Sequence, residues 1–267
     1  MKNILVVFNG INAPWHVLTF AITIAKKHEA NLKGIFLSPP PHTLDWKYFF
    51  PNDLELANPK LANEAVLAEY NRINDDTSKL FKAECERKGV LWKDEKNVPV
   101  NQLIDETSHS GIFIADAKAK NYFSEHVLSH VHCPVYFTSE KDLPERVILM
   151  YNGAESARFA IEKYKTLLPE FSDLPTDFVS INFPEEKESE KQEYIKSYLQ
   201  SHFVNLTVKP LKGKVEKVLK SFLQQYSEHT LIIMGAFGRT AVSRFFHQSL
   251  GNVVLENTRM SLFIAHK

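Results

Sequence analysis

The same opening is written twice in this chain. Ile4–Phe8, an unbroken apolar run, ends in Asn9-Gly10, and Val147–Tyr151, equally apolar, ends in Asn152-Gly153. A run that is apolar at every position, closed by turn residues, predicts a central parallel strand buried on both faces. The repetition continues beyond these strands. Trp15, Leu18, Ile22 and Ala25 recur at helical spacing after Pro14, and Ala157, Ala160, Tyr164 and Leu167 do the same after the second opening. The endings match as well, with Val127-Leu128 and Val135-Tyr136-Phe137 answered by Val254-Leu255 and Leu262-Phe263-Ile264. A repeat of this kind predicts two β-α-β-α-β halves of about 130 residues, each large enough to bury its own core. The domains expected are 1–140 and 145–267, joined near Ser139–Glu145. Crossovers of this length predict an α/β fold of two five-stranded, mostly parallel sheets flanked by helices.

Between the shared landmarks the pattern is less regular. Leu32–Leu37 reads as a strand, Val66, Tyr70, Ile73 and Leu80 as a long helix ending before Gly89, Val90–Trp92 as a short strand, and Ile112–Ala115 as the next. In the second half the strands expected are Phe178–Phe183, Val204–Val208 and Leu231–Met234. Val215, Val218, Leu219, Phe222, Leu223 and Tyr226 form the cleanest amphipathic helix in the chain. The charged run Glu185–Glu193 reads as a solvated helix start. His42–Pro59 is long for a plain connection, and its Trp46, Tyr48, Phe49 and Phe50 are read as packing residues.

The totals remove several classes of function. The chain has 267 residues, with 32 Lys and Arg against 32 Asp and Glu, so no net field draws it to nucleic acid or to an anionic membrane. Its apolar fraction of 44% and charged fraction of 24% are those of a globular protein. Two cysteines, Cys85 and Cys133, are too few for a disulfide scaffold and fit a reducing compartment. The N-terminal apolar run is too short for a signal-peptide core, and the expected location is cytoplasmic. His126 and His130 stand four apart and His132-Cys133-Pro134 follows, but no four-ligand geometry emerges, and no metal is expected there.

In a doubly wound sheet a ligand sits at the carboxyl ends of the strands, where strand order reverses. That places Asn9 and Asp116 at the first candidate site, and Asn152, Gly153 and Gly235 at the second. The stretch Leu231–Ala265 holds the clearest signal. A buried-type strand runs into Gly235-Ala-Phe-Gly238-Arg239, and glycines so placed let amide N–H groups face phosphate oxygens. After nine intervening residues, 239–247, stand Gln248-Ser249.

This arrangement resembles the phosphate loop of the universal stress protein family: Gly, two residues, Gly, nine residues, then Gly followed by Ser or Thr. Gly235, Gly238 and Ser249 match, and Gln248 departs from the pattern. The resemblance covers the whole chain as two tandem domains. It implies strand order 3-2-1-4-5 in each half, in the adenine nucleotide alpha hydrolase-like fold, with the halves paired edge to edge through their fifth strands as an intramolecular pseudo-dimer that can pair again as a homodimer. It also implies a stress-response protein that binds ATP or another adenine nucleotide, with Mg, in the second half. Asn152 and Gly153 would face the base or ribose, and Gly235, Gly238, Arg239, Gln248 and Ser249 would surround the phosphates. The family's Asp at the end of the first strand is Asn in both halves, as Asn9 and Asn152, and Ile114–Lys120 of the first half has no glycine, so its site is read as lost.

No Gly-x-Ser-x-Gly elbow and no Walker loop occurs, so the protein is read as non-enzymatic, with slow ATP hydrolysis at most. The competing reading is a scaffold of the same fold that binds an unknown protein partner and no nucleotide.

Overall fold

The computed structural model describes residues 1–10, 14–39, 59–123, 125–140, 143–182, 190–235, 254 and 259–265. The aromatic loop at 42–58 lies outside them, as do Gly238, Arg239, Gln248 and Ser249.

The first repeat runs β1 (Asn3–Phe8), α1 (Trp15–Lys27), β2 (Asn31–Leu37), α2 (Pro59–Lys88), β3 (Trp92–Val98), α3 (Val100–Thr107), β4 (Ile112–Asp116), α4 (Glu125–His130) and β5 (Val135–Thr138). The second runs β6 (Arg146–Tyr151), α5 (Glu155–Leu167), β7 (Thr176–Ile181), α6 (Glu190–His202), β8 (Leu206–Leu211), α7 (Val215–Leu223), β9 (Thr230–Gly235) and β10 (Ser261–Ala265). Short 3-10 turns at Ala117–Tyr122 and Pro169–Phe171 fall where no periodic pattern marked them.

The strands follow the order β3-β2-β1-β4-β5-β10-β9-β6-β7-β8. Read from either end, each repeat has the order 3-2-1-4-5. The expectation of two separate five-stranded sheets is corrected, because the ten strands belong to one sheet. The physical reason is the fifth strand. β5 pairs antiparallel with β10, Phe137 opposite Leu262 and Val135 opposite Ile264, so neither presents an open edge of unpaired amides. The remaining registered pairs are parallel, as long helical crossovers require.

Two strands lie away from their expected positions. β3 is Trp92–Val98 rather than Val90–Trp92, and β8 is Leu206–Leu211 rather than Val204–Val208. Both stand at the ends of the strand order, and their sequences, WKDEKNV and LTVKPL, carry charge and, in β8, a proline. An edge strand needs little apolar surface, so apolarity pointed instead to Val90, buried where the chain leaves α2, and to Val204, which is exposed. β7 likewise starts two residues before the expected Phe178, because Thr176 and Asp177 are buried despite their polarity.

The chain divides into two compact units, Met1–Ala115 and Asp116–Lys267. The first has an aromatic centre. Phe8 stacks on Phe36 with centroids 4.9 Å apart, and Phe81 of α2 meets both rings edge-on at 6.1 and 6.3 Å. In the second, Tyr164 of α5 lies edge-on to Phe263 of β10 at 6.0 Å and stacked on Phe203 at 6.3 Å. Cys85 and Cys133 are buried and unbridged, and burial pushes both thiols up to about 12, which leaves them almost wholly protonated at neutral pH. Among the described residues no helix is long and apolar enough to cross a membrane.

Ion pairs along α2 and β3 set an acid response. Hydrogen bonds from Arg72, Lys96, Arg87 and Lys33 hold Glu69, Asp75, Glu84 and Glu95, respectively, below the ordinary carboxyl range. A carboxyl whose folded value is depressed contributes stability that is present above its unfolded value and lost as pH falls through the folded one. The thermal midpoint is therefore expected to hold down to about pH 5 and to decline below about pH 4. The decline should be small, because these pairs are solvent-screened, and smaller still in high salt. Thermal melts across that range are the check, and a midpoint that rises on acidification would contradict the assignment.

Candidate functional site

The two places where strand order reverses are the carboxyl ends of β1 and β4, and of β6 and β9. Strand registers make them strictly equivalent. Ile4 pairs with Ile112 and Val147 with Leu231, so Asn9 corresponds to Asn152 and Asp116 to Gly235.

In the first repeat the space beyond the strands is filled. Gly10 has φ +70°, and a Cβ there would lie 2.3 Å from Cζ of Tyr70. Tyr70 comes from the middle of α2, is fully buried, and donates its hydroxyl hydrogen to the carbonyl of Leu37 at 2.8 Å. Asn74, one turn on, donates Nδ2–H to the same carbonyl at 3.2 Å. An aromatic ring thus closes over the ends of β1 and β2. Asp116 at the end of β4 is 3% exposed, and its Oδ1 accepts the Lys118 N–H at 2.9 Å. A buried carboxylate at this point opposes an anionic ligand.

The second repeat differs at each position. Asn152 is half-buried at the end of β6, and its Oδ1 accepts the Ala154 N–H at 3.0 Å, an Asx turn that delivers the chain to α5. Gly153 takes φ +79°, which an L side chain rarely adopts. At the end of β9, a Cβ on Gly235 would stand 2.4 Å from the Ala157 nitrogen and the Ser156 carbonyl carbon. Gly235 therefore lets the first turn of α5 lie directly on the strand, the close helix–strand approach that only glycine permits.

Where α5 begins, Ala154 occupies the N-cap and makes no side-chain capping hydrogen bond. Ser156 in that turn is buried, and its hydroxyl oxygen has no hydrogen-bond partner among the described residues. Glu155 brings an acidic group to the same turn and faces Arg158 at 3.8 Å. The carboxyl ends of β6 and β9 thus bring together Asn152, Gly153, Gly235 and the start of α5, a helix of thirteen residues. Tyr70 and Ser156 were not among the residues singled out from sequence. Tyr70 showed only as an apolar helix position, and an isolated serine carries no pattern.

A separate hollow of about 450 Å³ opens at the amino ends of β1–β3, lined by Asn3, Lys33, Trp92, Lys93, Glu106 and His109, among others. It stands at the opposite strand ends from the first switch point.

No protein-family model matches the chain. No curated protein matches it in sequence. Among solved structures, that of a universal stress protein from Archaeoglobus fulgidus DSM 4304 matches over 100% of this chain and 96% of its own, with a TM-score of 0.64 and 13% identity. A functionally unknown protein from Pseudomonas aeruginosa PAO1 matches over 100% of this chain and 92% of its own, with a TM-score of 0.61 and 15% identity. At such identity the likeness is one of fold. This chain is built on the universal stress protein fold, written twice in tandem.

Proposed function

We propose that this protein is a non-enzymatic, stress-linked tandem universal stress protein whose second repeat binds an adenine nucleotide, ATP with Mg, while the first serves as a structural repeat. The observation that supports it is the contrast between equivalent positions. Where Tyr70 and Asp116 close the first switch point, the second offers Gly235 against the start of α5, whose N-cap Ala154 makes no side-chain cap, and the buried Ser156 hydroxyl. Backbone amides at a helix start, with its positive dipole end, are a natural seat for phosphate oxygens. On this reading Asn152 and Gly153 face the base or ribose, and the amides from Gly235 to Gly238, with Arg239, Gln248 and Ser249, hold the phosphates. Such a protein would act by a nucleotide-dependent change of partner rather than by turnover.

The test is calorimetric titration of the full chain with Mg-ATP beside Gly238→Val, with thermal unfolding to show that the variant is folded. About one saturable site per chain, lost in a folded Gly238→Val, is the expected result under the fold analogy. No heat and no thermal shift at millimolar ATP would overturn the nucleotide reading. That outcome would favour the second reading, a protein-binding scaffold. It is supported by Asn152, whose side-chain oxygen is already committed to the Ala154 amide.

A further inference from the structure

The two repeats carry an ion cluster at the same place with opposite polarity. In the first, Lys33 of β2 reaches Glu95 of β3 at 3.0 Å and Glu106 of α3 at 2.7 Å. In the second, Asp177 of β7 meets Lys209 of β8 at 3.3 Å. It also accepts the Tyr226 hydroxyl, just past α7, at 2.7 Å, while Arg146 of β6 lies 3.3 Å away. Lys209 in turn donates to the Tyr226 oxygen at 3.0 Å.

The registers make these positions equivalent. Lys33 pairs with Leu5 and Asp177 with Ile148, which correspond in the repeat. Glu95 stands opposite Ile35 and Lys209 opposite Val179, each two residues further along the second strand. Each cluster is therefore the same diagonal cross-strand contact, on the same face. Each ties the second strand of its repeat to the third strand and to the helical segment that follows. The charges on the second and third strands are exchanged in sign, while the Tyr226 hydroxyl stands where Glu106 does and Arg146 is an addition of the second repeat.

The strands so tied are the ones with least apolar information. β3 buries Val98 alone and β8 has no fully buried residue. Hydrophobic pattern, which ordinarily selects a strand's partner and register, is weak in both. A chain that contains every strand twice then has two similar edges, β2 and β7, on which either third strand could pair. The wrong pairing would bring Lys209 to Lys33, and Glu95 with Glu106 to the buried Asp177. Like charges brought together in this way reject a partner more effectively than an attractive pair selects one.

We infer that the inverted clusters are a pairing code, which directs each edge strand and the helix behind it to its own repeat and opposes exchange of these elements between repeats or between copies of the chain. Exchange of equivalent elements is the characteristic misassembly of repeated domains. The inference does not depend on nucleotide binding.

The experiment refolds the full chain from urea and measures, by size-exclusion chromatography, the share that returns to the native elution volume. Lys33→Glu with Glu95→Lys and Glu106→Lys gives both repeats the same polarity while keeping attraction inside each. This triple variant is expected to return to the native species about fivefold less than the unmodified chain, with the remainder in exchanged oligomers or aggregate. A cluster that served local stability alone would leave its recovery unchanged, and recovery equal to that of the unmodified chain overturns the inference. Lys33→Met with Glu95→Gln and Glu106→Gln removes the charges at nearly constant size, and decides the matter if the inverted variant does not fold. Its recovery should fall about twofold, because one side of the repulsion is gone. Recovery of this neutral variant at the unmodified level would likewise overturn the inference.

Discussion

Gly235→Ala is expected to lower the thermal midpoint by about 6–12 °C. The argument is steric. The added Cβ would stand 2.4 Å from the Ala157 nitrogen and the Ser156 carbonyl carbon and 2.6 Å from the Ser156 oxygen, all backbone atoms of the first turn of α5. A side chain can rotate away from such a contact, whereas a helical peptide unit moves only with its helix. Overpacking a core costs about 1–3 kcal/mol, and a backbone clash belongs at the upper end. For a chain of this size each kcal/mol is worth about 2–4 °C. Gly111→Ala is the matched control. Its Cβ would meet chiefly the Met1 side chain, at 2.6 Å from Cγ, with the nearest backbone atom, the Asn3 oxygen, at 3.4 Å. Its loss should stay below about 1 kcal/mol. Differential scanning calorimetry of the two variants decides, and equal midpoints would show that α5 yields to the methyl group. Because the same turn of α5 borders the proposed nucleotide site, Gly235→Ala should also weaken ATP binding if that site is used.

Tyr70→Ala should cost about 3–5 kcal/mol, the usual range for truncating a large buried aromatic residue. The ring is fully buried against Gly10 and carries a buried hydrogen bond to the Leu37 carbonyl. Tyr70→Phe isolates the second component. It keeps the ring and loses the hydroxyl, for about 0.5–1.5 kcal/mol, since Asn74 still donates to the same carbonyl. Urea denaturation of both variants separates packing from hydrogen bonding. The cavity left by alanine has the shape of a phenol, and phenol at millimolar concentration is expected to restore part of the lost stability through preferential binding to the folded state. A Tyr70→Ala variant as stable as Tyr70→Phe would mean that the ring does not fill the first switch point.

Much of this architecture was legible along the chain. The strands β1, β4, β5, β6, β9 and β10 were each marked by an apolar run within a residue or two of its observed bounds, because central strands are buried on both faces and every residue reports it. Repetition of those runs carried the two-fold organisation. The edge strands β3 and β8 were displaced because half-exposed strands leave no such trace. At the candidate site, Asn9, Asn152, Gly153 and Gly235 were marked by turn chemistry at strand ends. Asn152 proved to hold its own turn, and Gly235 to admit a helix.

The sequence by itself determined the repeat, the α/β class and the strand ends that carry the candidate site. These follow from local composition and period, which a chain carries without reference to distant parts. Only the tertiary structure decided that β5 and β10 join ten strands into one sheet, that Tyr70 closes the first switch point, and that Asp177 and Lys33 occupy equivalent places with exchanged signs. Each of these is a meeting of residues far apart in the chain. Sequence pattern tells which face of an element is apolar, and the register of packed elements tells which atoms that face will touch.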